Sequence, residues 1–294
     1  MKRRQFLAGT AATVALLQAG FGSTPALAAG RLKQSVARWC FDMIPIEPLC
    51  AAMEEMGITG MDLVASADWP VCQRYGITPA VILGGGGRFL PVDEGSKRKY
   101  GKAFGWNKMA NHAQLVDTIG AVAPGASKIG VPNIIGLFGD RDGMSDDEGI
   151  HNCVVGLKQA LPLLEKYNMV MALEVLNSIV DHPDYMGNST RFGVEVCKQV
   201  GSEHVKLVYD AYHMQIMEGN LISTLRDNIN YIAHIHIAGV PGRNEIDERQ
   251  EVNWHAVAKA IADLNFKGYV AHEWVPTGKD PLAELRKAVN IITV

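Results

Sequence analysis

The sequence predicts an α/β fold, a single (β/α)8 TIM barrel, on three observations. Short apolar runs rich in β-branched residues alternate eight times with amphipathic helical runs. At 294 residues, with 48% hydrophobic and 20% charged residues, the chain can fill one large core, and barrels of this kind reach that size as one domain. The third observation is chemical: apolar runs end at Leu173-Glu174, Tyr209-Asp210, Ile235-His236 and His272-Glu273. The C-terminal ends of barrel strands are where this fold builds active sites.

In chain order, residues 1–29 stand apart from the barrel expected over 30–294. Lys2-Arg3-Arg4-Gln5-Phe6-Leu7 precedes an apolar run from Ala11 to Leu17, and Ala26-Leu27-Ala28 supplies small residues. That order is typical of a cleaved export signal, and the paired arginines before Phe-Leu resemble a twin-arginine signal. The apolar run falls short of the roughly 20 residues that span a bilayer. The expectation is a periplasmic protein cut at Ala28 or Ala29, with no integral membrane span in the mature chain. Export by this route carries folded proteins, so a metal can be loaded before transit.

Strands are expected at 38–43, 60–64, 78–83, 132–138, 170–175, 205–210, 232–238 and 268–274. Helices are expected at 46–56, 69–75, 102–122, 146–167, 187–200, 220–228, 253–264 and 281–289. Gly57 and Asn168 close two of these helices, because both residue types tolerate the left-handed conformation. The run Gly84-Gly85-Gly86-Gly87 lacks the order of a phosphate-binding loop and reads as a flexible βα loop over the site.

Five cysteines, Cys40, Cys50, Cys72, Cys153 and Cys197, are scattered without C-x-x-C spacing, so they read as buried apolar residues. A formal charge of −3 gives no reason to expect nucleic acid or an anionic membrane as partner. A small-molecule substrate fits better, and an oligomer is compatible with the sequence. Glu174, Asp210, His236 and Glu273 together form three carboxylates and one imidazole. Such a set suits one divalent metal ion of the Mn, Mg or Co kind better than a structural zinc.

From about Arg38 to its end the chain resembles the hydroxypyruvate isomerase group of the xylose-isomerase-like TIM barrels, a superfamily that also holds ketose 3-epimerases. The stretches that carry the resemblance are Leu173-Glu174-Val175-Leu176-Asn177-Ser178, Tyr209-Asp210-Ala211-Tyr212-His213-Met214-Gln215, His236-Ile237-Ala238-Gly239-Val240-Pro241-Gly242-Arg243 and His272-Glu273-Trp274-Val275-Pro276. The resemblance implies that Glu174 and Glu273 bind the metal and act as the acid/base pair, with Asp210 completing the carboxylate set. One departure is His236: hydroxypyruvate isomerases tend to carry an amide there, ketose 3-epimerases a histidine. Substrate choice therefore stays open at this point.

The chemistry of the residues agrees. Moving a carbonyl along a chain, or inverting a carbinol beside one, requires a base to take a proton α to the carbonyl and a means of stabilising the enediolate. The reaction implied is hydroxypyruvate to tartronate semialdehyde. The alternatives are a ketose 3-epimerase or lyase acting on an unphosphorylated keto sugar and, in another class, a non-catalytic periplasmic sugar-binding protein. An abasic-site endonuclease of related architecture would need further histidines on early strands, and His112 is the only histidine before residue 150.

Three more residues are expected to meet substrate. Arg243, in a Pro-Gly-Arg turn, offers a planar fork for a carboxylate or hydroxyl pair. His213 either supports Asp210 or donates to substrate, and Asn177 either reaches substrate or caps the following loop. Trp39 and Trp274 line the pocket or pack the barrel. His112, His151, His182, His204 and His255 are taken as structural or surface residues, and Asp140-Arg141-Asp142 as a solvated loop.

Overall fold

The computed structural model describes residues 30–91 and 99–294; the export-signal reading falls outside them. Eight parallel strands close a barrel: β1 (Lys33–Ala37), β2 (Gly60–Asp62), β3 (Thr78–Ile82), β6 (Asn133–Leu137), β7 (Val170–Glu174), β8 (Val205–Asp210), β9 (Ile232–Ile237) and β10 (Tyr269–His272). Their order is β1-β10-β9-β8-β7-β6-β3-β2, the ring being closed where β1 pairs with β2. The short strands β4 (Arg88–Phe89) and β5 (Ala103–Phe104) form a separate antiparallel pair. Helices α1 (Ile46–Glu55), α2 (Trp69–Arg74), α3 (His112–Lys128), α4 (Asp146–Lys166), α5 (Thr190–Val200), α6 (Ala211–Met217), α7 (Leu221–Asn228), α8 (Trp254–Asp263) and α9 (Pro281–Ile292) lie in the connections and after β10. Among the described residues no helix is long and apolar enough to cross a membrane.

Strand periodicity of two residues decides what enters the barrel. Along β7, β8 and β9 the pairs Ala172 and Glu174, Val208 and Asp210, and His234 and His236 share one face. Val81, Ile135, Ala172 and Val208 form a small apolar cluster of their own, separate from the larger core to which Leu173, Leu207 and Tyr209 belong. Glu174, Asp210 and His236 each follow by two residues on the same face, near the C-terminal end of the strand.

The first strand lies at Lys33–Ala37 and not at 38–43; Arg38–Phe41 is a 3-10 turn. Gln34 and Ser35, both buried, made this strand look polar, while Trp39-Cys40-Phe41 gave a stronger apolar signal just beyond it. The true register, Lys33 opposite Tyr269 and Ser35 opposite Gly60, leaves Trp39 past the strand end.

The helix expected over 102–122 begins instead at His112. The preceding residues are extended and bonded to the end of β6, with Trp106 N–H donating to Leu137 O (3.0 Å) and Asn107 N–H to Phe138 O (2.8 Å). The glycine run is also packed, not free. Leu137 N–H donates to Gly86 O (2.7 Å), and a Cβ on Gly86 would stand 1.6 Å from Ile135 O. Only a residue without a side chain fits against β6 there.

All five cysteines are free and buried. Asp140 is buried as well and accepts from Ala103 N–H (3.0 Å), so the start of the expected solvated loop belongs to the interior.

Candidate metal centre and active-site cavity

Each proposed ligand is delivered by a different strand. Glu174 is the last residue of β7, Asp210 the last of β8, His236 the penultimate residue of β9, and Glu273 follows β10. One donor atom from each lies within 4.8 Å of the others, and all four residues are buried. His236 Nδ1 is 3.1 Å from Glu174 Oε1, 2.7 Å from Glu273 Oε2 and 3.9 Å from Asp210 Oδ2.

Asp210 has a second task. Its carboxylate caps α6 by accepting from His213 N–H (3.0 Å), which holds the side chain at the strand end and starts a helix directly after the strand. That places His213 against the same carboxylate, with Nε2 3.6 Å from Asp210 Oδ2.

Arg243 enters from the loop after β9 with φ of +60°, a conformation costly for a non-glycine residue and typical of positions held by their surroundings. Nη2 donates to Glu273 Oε2 (2.6 Å) and Asp210 Oδ2 (3.3 Å), and Nη1 to His213 Nε2 (2.6 Å). The guanidinium lies 5.6 Å from the Trp39 ring and 5.0 Å from the Tyr212 ring. Trp39 also donates from Nε1 to Glu273 Oε1 (2.9 Å), whereas Trp274 is fully buried against Phe41.

Asn177 is brought close but is otherwise engaged. Its Oδ1 accepts from Val180 and Asp181 N–H (2.9 Å each), and its Nδ2 donates to Asp181 Oδ2 (2.8 Å) and lies 2.6 Å from His213 Nδ1. Fully buried, it caps the loop after β7 and supports His213 from behind.

Electrostatics follow from burial and crowding. Burial pushes Asp210 up to about 7, against the pull of Arg243 and with the repulsion of Glu273. Burial also disfavours ionised Glu273, but His236 and Arg243 outweigh it and hold this carboxyl well below the usual range. Burial works against a charged His236, yet Glu273 and the other carboxylates raise it well above an ordinary histidine. Burial, reinforced by Arg243, keeps His213 neutral.

Three buried carboxylates facing one guanidinium and one imidazole are a set that another cation completes, because buried charges need partners or a metal. A divalent ion held by Glu174, Asp210, His236 and Glu273 fits the donor chemistry of these residues.

Two polar residues, Asp62 inside the barrel and His182 in the loop after β7, were not anticipated at the site. Asp62, the last residue of β2, has Oδ2 2.6 Å from His234 Nε2 and 3.3 Å from His236 Nε2. Burial would raise this carboxyl, but His234 and then His236 hold it at about 2. His182, taken as structural, packs against Phe89 (4.7 Å) and Tyr100 (4.6 Å), whose own rings are 5.9 Å apart, in a three-ring cluster that walls the cavity. Burial, and then Arg243, lowers it to about 4. The cavity measures about 430 Å³, with Glu174, Glu273, His213 and Arg243 at its polar end and Leu63, Leu83, Ile135, Leu137 and Leu176 among its apolar walls.

The sequence and the fold have counterparts among known proteins. Over residues 50–293 the sequence matches the xylose isomerase-like TIM barrel family. The chain belongs to that family. It is 31% identical over 161 residues to hydroxypyruvate isomerase of Escherichia coli (54% of this chain, 62% of that one). It is 38% identical over 96 residues to 2-oxo-tetronate isomerase of Cupriavidus necator (33% and 36%). The chain thus spans less than two-thirds of the length of these relatives. The solved 3-keto-D-glucoside 4-epimerase of E. coli superposes with a TM-score of 0.70 over 89% of this chain and 98% of that one. At 20% identity this likeness shows the shared fold.

Proposed function

We propose that the protein is a metal-dependent isomerase of a small hydroxy-keto acid, converting hydroxypyruvate to tartronate semialdehyde by proton transfer between carbons through an enediolate. The observation that carries this reading is the convergence of Glu174, Asp210, His236 and Glu273, of which Glu174 and Glu273 line a cavity large enough for substrate. The relatives named as isomerases of hydroxypyruvate and 2-oxo-tetronate support the same class of substrate.

In this reading one glutamate carboxylate takes the proton from the carbinol carbon and the other, protonated, returns one to the neighbouring carbon, while the hydroxyl proton passes from the carbinol oxygen to the former carbonyl oxygen, with Glu174 and Glu273 as the pair. A bound divalent cation supplies Lewis-acid stabilisation of the charge that develops on the substrate oxygens. Arg243, close to the Trp39 and Tyr212 rings, holds Glu273 in place and lines the cavity. His213, neutral and engaged at both ring nitrogens by Arg243 and Asn177, lines the cavity and fixes the arginine beside Glu273. The apolar walls exclude water from the enediolate.

A second reading is an epimerase or lyase of an unphosphorylated keto sugar. The imidazole at His236 and a cavity of about 430 Å³, roomy for a three-carbon acid, favour it. A single experiment separates these and the sugar-binding alternative. Metal-depleted protein, with and without restored Mn²⁺, is given hydroxypyruvate, simple ketoses and 3-keto sugars in deuterated water. Mn²⁺-dependent turnover of hydroxypyruvate with deuterium entering the product is expected. Turnover confined to sugars moves the assignment to the second reading, and no turnover or exchange on any substrate sinks the enzyme reading.

We further propose that residues 1–29 direct twin-arginine export. N-terminal sequencing of periplasmic protein should begin near Ala29 or Gly30; a periplasmic form that still begins at Met1 refutes the cleavage.

A further inference from the structure

Inside the barrel, beneath the four proposed ligands, Asp62, His234 and His236 form a second buried group whose donor atoms lie within 4.8 Å of one another. All three side chains are shielded completely from solvent. Two strand irregularities build the group. The β2–β3 register shifts between Met61 and Asp62, and the β8–β9 register shifts between Leu207 and Val208, so that His234 and His236 come level with Val208 and Asp210. Such shifts re-aim side chains, and they recur next to functional sites.

His236 joins the two groups. Its Nδ1 faces Glu174 and Glu273, while its Nε2 makes no hydrogen bond of good geometry among the described residues and has Asp62 Oδ2 3.3 Å away. That carboxylate is itself fixed by His234 Nε2 at 2.6 Å. A histidine that ligates a metal through one ring nitrogen carries its proton on the other, and the acceptor of that proton sets both tautomer and ring orientation.

We infer that Asp62 is a positioning residue for the metal centre: held by His234, its carboxylate selects the Nε2–H tautomer of His236 and so turns the Nδ1 lone pair toward the proposed ion. The inference rests on the metal-centre reading and adds two residues that sequence patterns did not single out for the site.

The test is Mn²⁺ titration of metal-depleted full-length protein, comparing the parent with Asp62→Asn and Asp62→Glu. Asp62→Asn should bind about 10–100-fold more weakly, the usual cost of losing such a partner, and Asp62→Glu should recover part of the loss. Parent binding of one Mn²⁺ together with an Asp62→Asn affinity within about twofold of it overturns the inference. So does a parent stoichiometry of two that falls to one in the variant, since Asp62 would then be a ligand. Absence of any divalent-ion binding by the parent removes the metal-centre reading itself, a distinguishable failure. A measurement that needs no variant is the ¹⁵N histidine spectrum of the Mg²⁺-loaded parent. His236 should show the Nε2–H tautomer, and an Nδ1–H signature would overturn the proposal even if Asp62→Asn failed to fold.

Discussion

Glu174→Gln and Glu273→Gln are each expected to lower turnover by roughly 10²–10⁴-fold, the usual cost of losing one acid/base group. The two variants should not be equally clean. Glu174 Oε1 faces His236 Nδ1 at 3.1 Å, and among the described residues that is the one side-chain hydrogen bond its carboxylate makes. Glu273 is gripped on both sides: Oε1 accepts from Trp39 Nε1 (2.9 Å) and Oε2 from Arg243 Nη2 (2.6 Å). A glutamine there presents an N–H to one of those donors whichever way it turns. One buried donor is left unmatched, at a cost of about 1–3 kcal/mol. Glu174→Gln should therefore keep its stability and three of the four proposed ligands, whereas Glu273→Gln should lose stability along with turnover. Steady-state rates with Mn²⁺, solvent deuterium exchange into substrate and thermal unfolding read these separately. Near-normal turnover in both variants would make the paired-glutamate transfer wrong and pass the base to Asp210 or His213.

What could be seen in the sequence follows from where the apolar pattern breaks. At Glu174 and Asp210 an apolar run gives way to a charge at the last residue of the strand, at Glu273 just past it, and at His236 one residue before it, so pattern and structure coincide to within one residue. Asp62 ends its strand as well, but Leu63 and Val64 continue the apolar run past it. The carboxylate thus looked like an interruption within a strand, and only the shifted register turns it inward. His234 was visible two residues before His236, on the same face of β9, and that spacing was the available signal. β1 was misplaced because Gln34 and Ser35, one on each face of the strand, are both buried and polar, inverting the usual hydropathy of a barrel strand. His182 had no local signal: its stack with Phe89 and Tyr100 joins segments that are remote in sequence.

Arg243→Met is expected to destabilise the metal-free protein by about 3–5 kcal/mol, the cost of removing one partner from a buried charge pair. Met matches the length of the arginine stem and meets the same left-handed backbone demand, so the difference reports the guanidinium. Without it Asp210 and Glu273, 1% and 3% exposed, face each other with only His236 to offset them. Over a domain of this size the loss corresponds to a fall in the unfolding midpoint on the order of 10 °C. A bound divalent ion supplies the missing positive charge to the same carboxylates, so saturating Mn²⁺ should raise the midpoint of the variant more than that of the parent. Arg243→Lys should fall between, because Arg243 reaches Glu273 and Asp210 through Nη2 and His213 through Nη1, two nitrogens where lysine has one. Thermal unfolding of the three proteins with and without Mn²⁺ decides it. A metal-free Arg243→Met protein within about 1 kcal/mol of the parent would mean that the carboxylates do not depend on this arginine, and that protonation of the group, with Asp210 as the proton's site, already relieves the crowding.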